Sequence, residues 1–185
     1  KKLCHPNDDI NMSQSSNDTF PTAMHISAVI AIEDKLLPAV ELLIETFKRL
    51  EEENEGIVKS GRTHLQDATP IKFSQEISGW RSSLERDAEL LRMAAAPLHE
   101  LALGGTAVGT GLNAPKGFSD LVAAKVAELT GKPFVSAVNK FHALTSKDEL
   151  VFAHGAVKAT ACDMMKIAND VRWLASGPRD GLGEI

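Results

Sequence analysis

The chain contains no tyrosine and, in 185 residues, only seven phenylalanines and two tryptophans. With so few aromatic residues and an abundance of Ala, Leu and Glu, its composition leans toward helix rather than sheet. Cysteine is equally scarce. Cys4 and Cys162 lie far apart and outside any zinc-type spacing, which excludes a disulfide framework and a cysteine-built metal centre and fits a reducing, cytoplasm-like compartment. No apolar run approaches the length of a membrane span, and the N-terminus shows no signal or transit pattern, so no membrane partner is expected; a mitochondrial location stays open. There is no Lys/Arg cluster, and the net charge of −5 argues against a nucleic-acid partner. Internal repeats are missing too, and the glycine-rich GGTAVGTG at 104–111 follows no predicted strand, as a dinucleotide-binding loop should.

What is present is helical periodicity. From about Pro21 to Glu53, Ile26, Ile30, Leu37, Val40, Ile44 and Phe47 mark one buried face, with Pro38 expected to bend the helix. A second long helix is predicted from about Ser74 to Ala102, on Ile77, Trp80, Leu84, Ala88 and Leu91, with a stop at Gly104. A shorter one covers 116–130 and ends at Gly131 and Pro133. The last is predicted to start at a Ser146/Glu149 capping box and to bury Leu150, Ala153, Val157, Ala161, Met164, Ala168, Val171 and Leu174, with Cys162 as a small packed residue. Long amphipathic helices need lateral partners, so the expected fold class is an all-α, long-helix bundle whose apolar surface exceeds what one chain covers.

Three polar clusters stand out. In SQSSNDTFPTA (13–23), Ser15, Ser16 and Asn17 offer donors beside a helix start, with Thr19 placed to cap it and Pro21 in the first turn. The free N–H groups and dipole of such a start favour an anion, and a carboxylate fits; the same residue types also serve as plain helix caps. In GRTHLQDATP (61–70), Thr63, His64, Gln66 and Asp67 crowd what reads as a loop between two long helices. His64 is the general acid/base candidate, since imidazole titrates near neutral pH, and Thr63 could hold a substrate oxygen. A third cluster, His5, Pro6, Asn7 and Asp8, reads either as an anion site or as an ordinary turn. His25, His99, His142 and His154 lack metal-ligand spacing and read as structural.

Together, HPNDDINMSQSSNDTFPTAMHI, GRTHLQDATP, ALGGTAVGTGLN, NKFHALTSKDEL and KIANDVRWLASGPRDGLGEI closely resemble the class II fumarate hydratases of the aspartase/fumarase superfamily. The resemblance implies the central helical domain of that fold across 1–185, contributing to a multi-chain helical core in a homotetramer whose active sites are shared between subunits. It implies reversible hydration of fumarate to L-malate, a step of the tricarboxylic acid cycle, with no metal and no cofactor. Carried over by motif, Ser15, Ser16 and Asn17 would hold a substrate carboxylate with help from Thr63. His64 would activate the water, and His5, Pro6, Asn7 and Asp8 would match a second anion site. The family's N-terminal domain and the loop bearing its catalytic serine are expected outside the matched stretch, so the isolated chain is expected to be nearly inactive. Aspartate ammonia-lyase of the same superfamily, or a non-catalytic assembly module, is the alternative.

Overall fold

The computed structural model describes residues 3–185, the Asn7 side chain excepted. Along the chain run α1 (Ser16–Ala31), α2 (Leu37–Glu53), β1 (Val58–Thr63), β2 (Gln66–Lys72), α3 (Phe73–Ala95), β3 (Glu100–Leu101), α4 (Phe118–Thr130), β4 (Val135–Ser136), α5 (Lys140–Thr145) and α6 (Asp148–Leu174). Long helices dominate, as expected, and among the described residues strands are confined to two short ladders. No helix of the described residues is long and apolar enough to cross a membrane. Two compact units form, Lys1–Asp34 with Met93–Ala153 and Lys35–Arg92 with His154–Ile185.

In the first unit, α1 begins at Ser16, five residues before the expected Pro21. Ser15 and Asp18 form a reciprocal capping box: the Ser15 hydroxyl accepts from the Asn17 N–H at 3.1 Å, and Asp18 Oδ1 accepts from the Ser15 N–H at 2.8 Å. That box satisfies the helix end, so Thr19 is not the cap and Pro21 lies inside the helix, where its missing N–H leaves the Asn17 carbonyl without its helical donor. The unit's core gathers Val29, Leu98, Leu101, Ala123, Phe134 and Ala137.

The expected continuation of α3 to Ala102 also fails. Pro97 cannot donate, so the helix gives way at Ala96 to a 3₁₀ turn and then to β3, which pairs in parallel with β4. α4 ends as predicted at Gly131, whose φ of +67° is the left-handed stop that glycine adopts without cost. Before α6 the predicted Ser146/Glu149 box is replaced: Ser146 caps the C-terminus of α5, and its hydroxyl donates to Asp148.

The second unit packs α2, α3 and residues 154–174 of α6 around Leu37, Val40, Phe47, Ile77, Trp80, Leu84, Leu91, Ile167 and Leu174. Fully burying each large side chain contributes about 1.5–3 kcal/mol. Trp80 stacks tilted on Phe47 at 5.8 Å, meets Phe73 edge-on at 6.3 Å, and donates its indole N–H to Asp170 Oδ2 at 2.9 Å. Ile32–Leu36 widen into a π-helical turn, and Pro38 follows it in the first turn of α2, where a missing N–H is tolerated.

On α6 the buried face of this unit is Ala156, Thr160, Ile167 and Leu174; Met164 and Val171 are exposed in this chain. Cys162, two positions and about 200° around the helix from Thr160, is exposed rather than packed. The segment 61–70, read from sequence as a loop, is instead most of a β-hairpin, because Val58, Thr63, Thr69 and Ile71 supply β-branched side chains to paired strands.

Asp87 on α3 is 2% exposed, and its Oδ2 has no hydrogen-bond partner among the described residues. Burial, reinforced by the negative charge of Asp163, pushes its carboxyl up to about 6. Below the unfolded value both states are protonated and the group costs nothing; between that value and about 6 only the unfolded chain ionises, so stability falls as pH rises. Asp87→Asn is therefore expected to raise stability by roughly 1–2 kcal/mol at pH 7.5. The gain should vanish near pH 4, as read by chemical denaturation at both pH values; equal gains at both would contradict the assignment.

Candidate active site

The start of α1 opens onto two adjoining clefts. One, of about 710 Å³, is lined by Ser13, Ser15, Ser16, Thr106, Leu112 and Asn113 among others. The other, of about 500 Å³, is lined by Ser16, Asn17, Phe20, Val108, Leu144 and Lys147 among others. Of the three sequence candidates, Ser15 uses its hydroxyl oxygen as the acceptor of the cap, which leaves its O–H to donate. Ser16 lines both clefts, and Asn17 lines the second while its Nδ2 donates to the Ala107 carbonyl at 2.8 Å. With the N–H groups of Asn17, Asp18 and Thr19 taken up by Ser15, the side chains of Ser16 and Asn17, beside the positive end of the helix dipole, suit a small carboxylate.

The opposite wall is the loop 104–113. It is fastened by a residue that the sequence reading passed over, Asp18, which is 0% exposed and accepts from the N–H groups of Gly104 at 3.0 Å and Thr106 at 2.8 Å. The signal was available, since S-x-x-D at 15–18 is a capping-box pattern. Gly104 has φ +97°, and a Cβ there would lie 1.8 Å from Ser119 Oγ, so only glycine fits. A second tie joins the walls: the Ser13 hydroxyl donates to the Asn113 carbonyl at 3.1 Å.

His64 and Thr63 belong to the second unit. Thr63 pairs with Gln66, which leaves His64 and Leu65 as a two-residue hairpin turn with φ of +50° and +62°. Such turns favour Asn and Gly; two non-glycine residues here store strain of the kind found at functional sites. Gly61 permits the irregularity of register between Ser60 and Arg62, for a Cβ would stand 2.6 Å from the Thr69 carbonyl.

The hairpin is pinned by Arg62, which meets Asp67 at 2.6 Å and Glu184 at 2.7 Å, and by Lys59, which meets Glu184 at 2.9 Å and Glu76 at 2.7 Å. Burial alone would push the Glu184 carboxyl up, but hydrogen bonds from Arg62 and Lys59 outweigh it and hold it below the usual range. Exposed His64 lines a cleft of about 400 Å³ with Arg62, Glu76, Lys166, Asp170 and Trp173, a setting with proton carriers and both charge signs at hand.

His5 caps a π-helical turn, Pro6–Ile10, that starts at Pro6; His5 Nδ1 lies 3.1 Å from Asp8 Oδ2, and both side chains are exposed. The Asn7 side chain lies outside the described residues. His142, read from sequence as structural, meets Asp148 at 3.2 Å and Glu149 at 3.8 Å. The Ser146 hydroxyl, with Glu149 and His142, holds the Asp148 carboxyl well below the usual range.

Gly104→Ala is expected to destabilise the protein by about 2–4 kcal/mol, through the clash and the positive φ. Gly79→Ala, in α3 with nothing within 4 Å of the new methyl, should stabilise it by roughly 0.5–1 kcal/mol. Thermal unfolding of the two variants checks the contrast, and a neutral Gly104→Ala would contradict the loop geometry.

The chain matches the family described as lyase across residues 1–185. It is 61% identical over 181 residues to the class II fumarate hydratase of Bacillus cereus, covering 98% of this chain and 39% of that protein. It is 60% identical over 185 residues to the class II fumarate hydratase of Helicobacter pylori, covering all of this chain and 40% of that protein. The chain therefore spans about two-fifths of the length of the curated relatives it matches. Among solved structures, recombinant class II fumarase from Schistosoma mansoni superposes with a TM-score of 0.94 at 38% identity, over 98% of this chain and 41% of that one. Fumarate lyase:delta crystallin from Brucella melitensis, bound to cobalt, superposes with a TM-score of 0.91 at 37% identity, over 97% and 39%. With its whole length matched in sequence and nearly all of it in fold, the chain belongs to the lyase family.

Proposed function

We propose that the intact protein is a cytoplasmic class II fumarate hydratase of the tricarboxylic acid cycle, a homotetramer that interconverts fumarate and L-malate without a cofactor. The observation that carries this reading is the pair of clefts at the start of α1, where the side chains of Ser16 and Asn17 present donors for a carboxylate. Identity of about 60% to proteins named class II fumarate hydratase supports it.

In the hydration direction, Ser15, Ser16 and Asn17 hold one carboxylate of fumarate, and Thr63 of a neighbouring subunit contributes to the grip. His64 takes a proton from water as its oxygen bonds to one alkene carbon. The π-electron pair moves onto the other carbon and spreads into the adjoining carboxylate, and a proton arriving on the opposite face completes anti addition. Donors preset around the doubly charged carboxylate supply the larger share of the stabilisation. The strained turn that presents His64 leaves it exposed, which suits a site shared with a neighbouring subunit. In this reading His5, Pro6, Asn7 and Asp8 supply a second anion site.

The test follows fumarate consumption by absorbance in the intact protein. Turnover without ammonium is expected, and His64→Asn should lower it by about 10²–10⁴-fold with the tetramer intact. Consumption that required ammonium would replace the reading with an aspartate ammonia-lyase; unchanged turnover in the variant would remove His64 from the chemistry.

A further inference from the structure

We infer that Asp18 is the positioning residue of the carboxylate cleft: its buried carboxylate locks the 104–107 loop against the first turn of α1 and so fixes where Asn17 points. The inference rests on the reading of that cleft as the substrate-carboxylate site. Both oxygens of Asp18 are committed. Oδ1 accepts from the Ser15 N–H at 2.8 Å, and Oδ2 accepts from Gly104 at 3.0 Å and Thr106 at 2.8 Å, with the side chain 0% exposed.

The loop donors are thus consumed by the protein and are not free to bind a ligand. Their task is to set the loop in a strained shape, with Gly104 at φ +97° and Thr106 at +58°. One residue on, the Ala107 carbonyl accepts from Asn17 Nδ2 at 2.8 Å. The chain of contacts therefore runs from Asp18 through Gly104 and Thr106 to Ala107 and back to Asn17, whose second Nδ2 hydrogen remains to donate to the ligand.

Only a carboxylate satisfies three converging N–H donors. An amide offers one acceptor oxygen and would turn its NH₂ toward either Ser15 or the loop. The negative charge sits at the third position of α1, where the helix dipole stabilises it despite the neighbouring anion site.

In the intact protein, Asp18→Asn is expected to raise KM for fumarate about tenfold while kcat changes less than threefold, the signature of lost ground-state and transition-state binding alike. Asn17→Ala should raise KM comparably, and the double variant should be no worse than the more severe single, because both act through one contact. A role confined to stability would lower the melting temperature without this split. Wild-type KM in Asp18→Asn, or penalties that multiply in the double variant, would overturn the inference while leaving the cleft reading in place. Wild-type KM in Asn17→Ala would sink the cleft reading and the inference with it. Should Asp18→Asn not fold, replacing the peptide N–H of Thr106 by an ester oxygen removes one of the three bonds and keeps every side chain. A several-fold rise in KM is expected there too, and an unchanged KM would overturn the inference.

Discussion

Three backbone N–H groups converge on one buried carboxylate, that of Asp18, and the form of the cleft at the start of α1 depends on that convergence. The same side chain completes the helix cap and anchors a glycine-rich loop about ninety residues away in sequence. A buried anion without partners would cost several kcal/mol; with three donors and a helix N-terminus beside it, the cost is offset and the geometry is specified. Local capping chemistry and tertiary architecture are therefore one feature here. This is why Ser15, which sequence reading counts as a ligand donor, is also part of the frame that presents Ser16 and Asn17.

The second unit solves a related problem with ions rather than a buried box. A hairpin turn made of His64 and Leu65, both at positive φ, needs support from outside itself. Arg62 and Lys59 bind Glu184, and Glu76 and Asp67 complete the network. Lys59, Arg62, Glu76 and Glu184 are part-buried, so the pairs among them are less screened than surface pairs and hold the hairpin in one orientation, while Asp67 is exposed. In both units a candidate functional side chain protrudes from a strained or capped segment, while its neighbours absorb the structural cost.

Most of the helical architecture was legible because periodicity of apolar residues reports one buried face per helix. Ile77, Trp80, Leu84, Ala88 and Leu91 do line the interior of α3. What sequence could not show has physical causes. Apolar residues at helical spacing mark a stripe but not which partner covers it, so α6 carries Met164 and Val171 exposed and Cys162 on an open face. Proline was weighed as a helix signal when capping chemistry outranked it at Pro21 and a π turn accommodated Pro38. The GRTH segment hid a hairpin because its turn lacks the Asn-Gly or Asp-Gly signal that two-residue turns normally carry. The polar clusters themselves were visible; that Asp18 and Glu184 organise them was not, since their partners are distant in sequence.

The account turns on the start of α1 as the place where a dicarboxylic acid is gripped. Its most direct test is a crystal structure of the intact protein soaked or grown with an unreactive four-carbon dicarboxylate such as succinate. One carboxylate is expected within hydrogen-bonding distance of Ser16 and Asn17, with the Asp18 bonds to Gly104 and Thr106 unchanged. Succinate bound elsewhere, with only water in the clefts lined by Ser16 and Asn17, would contradict it.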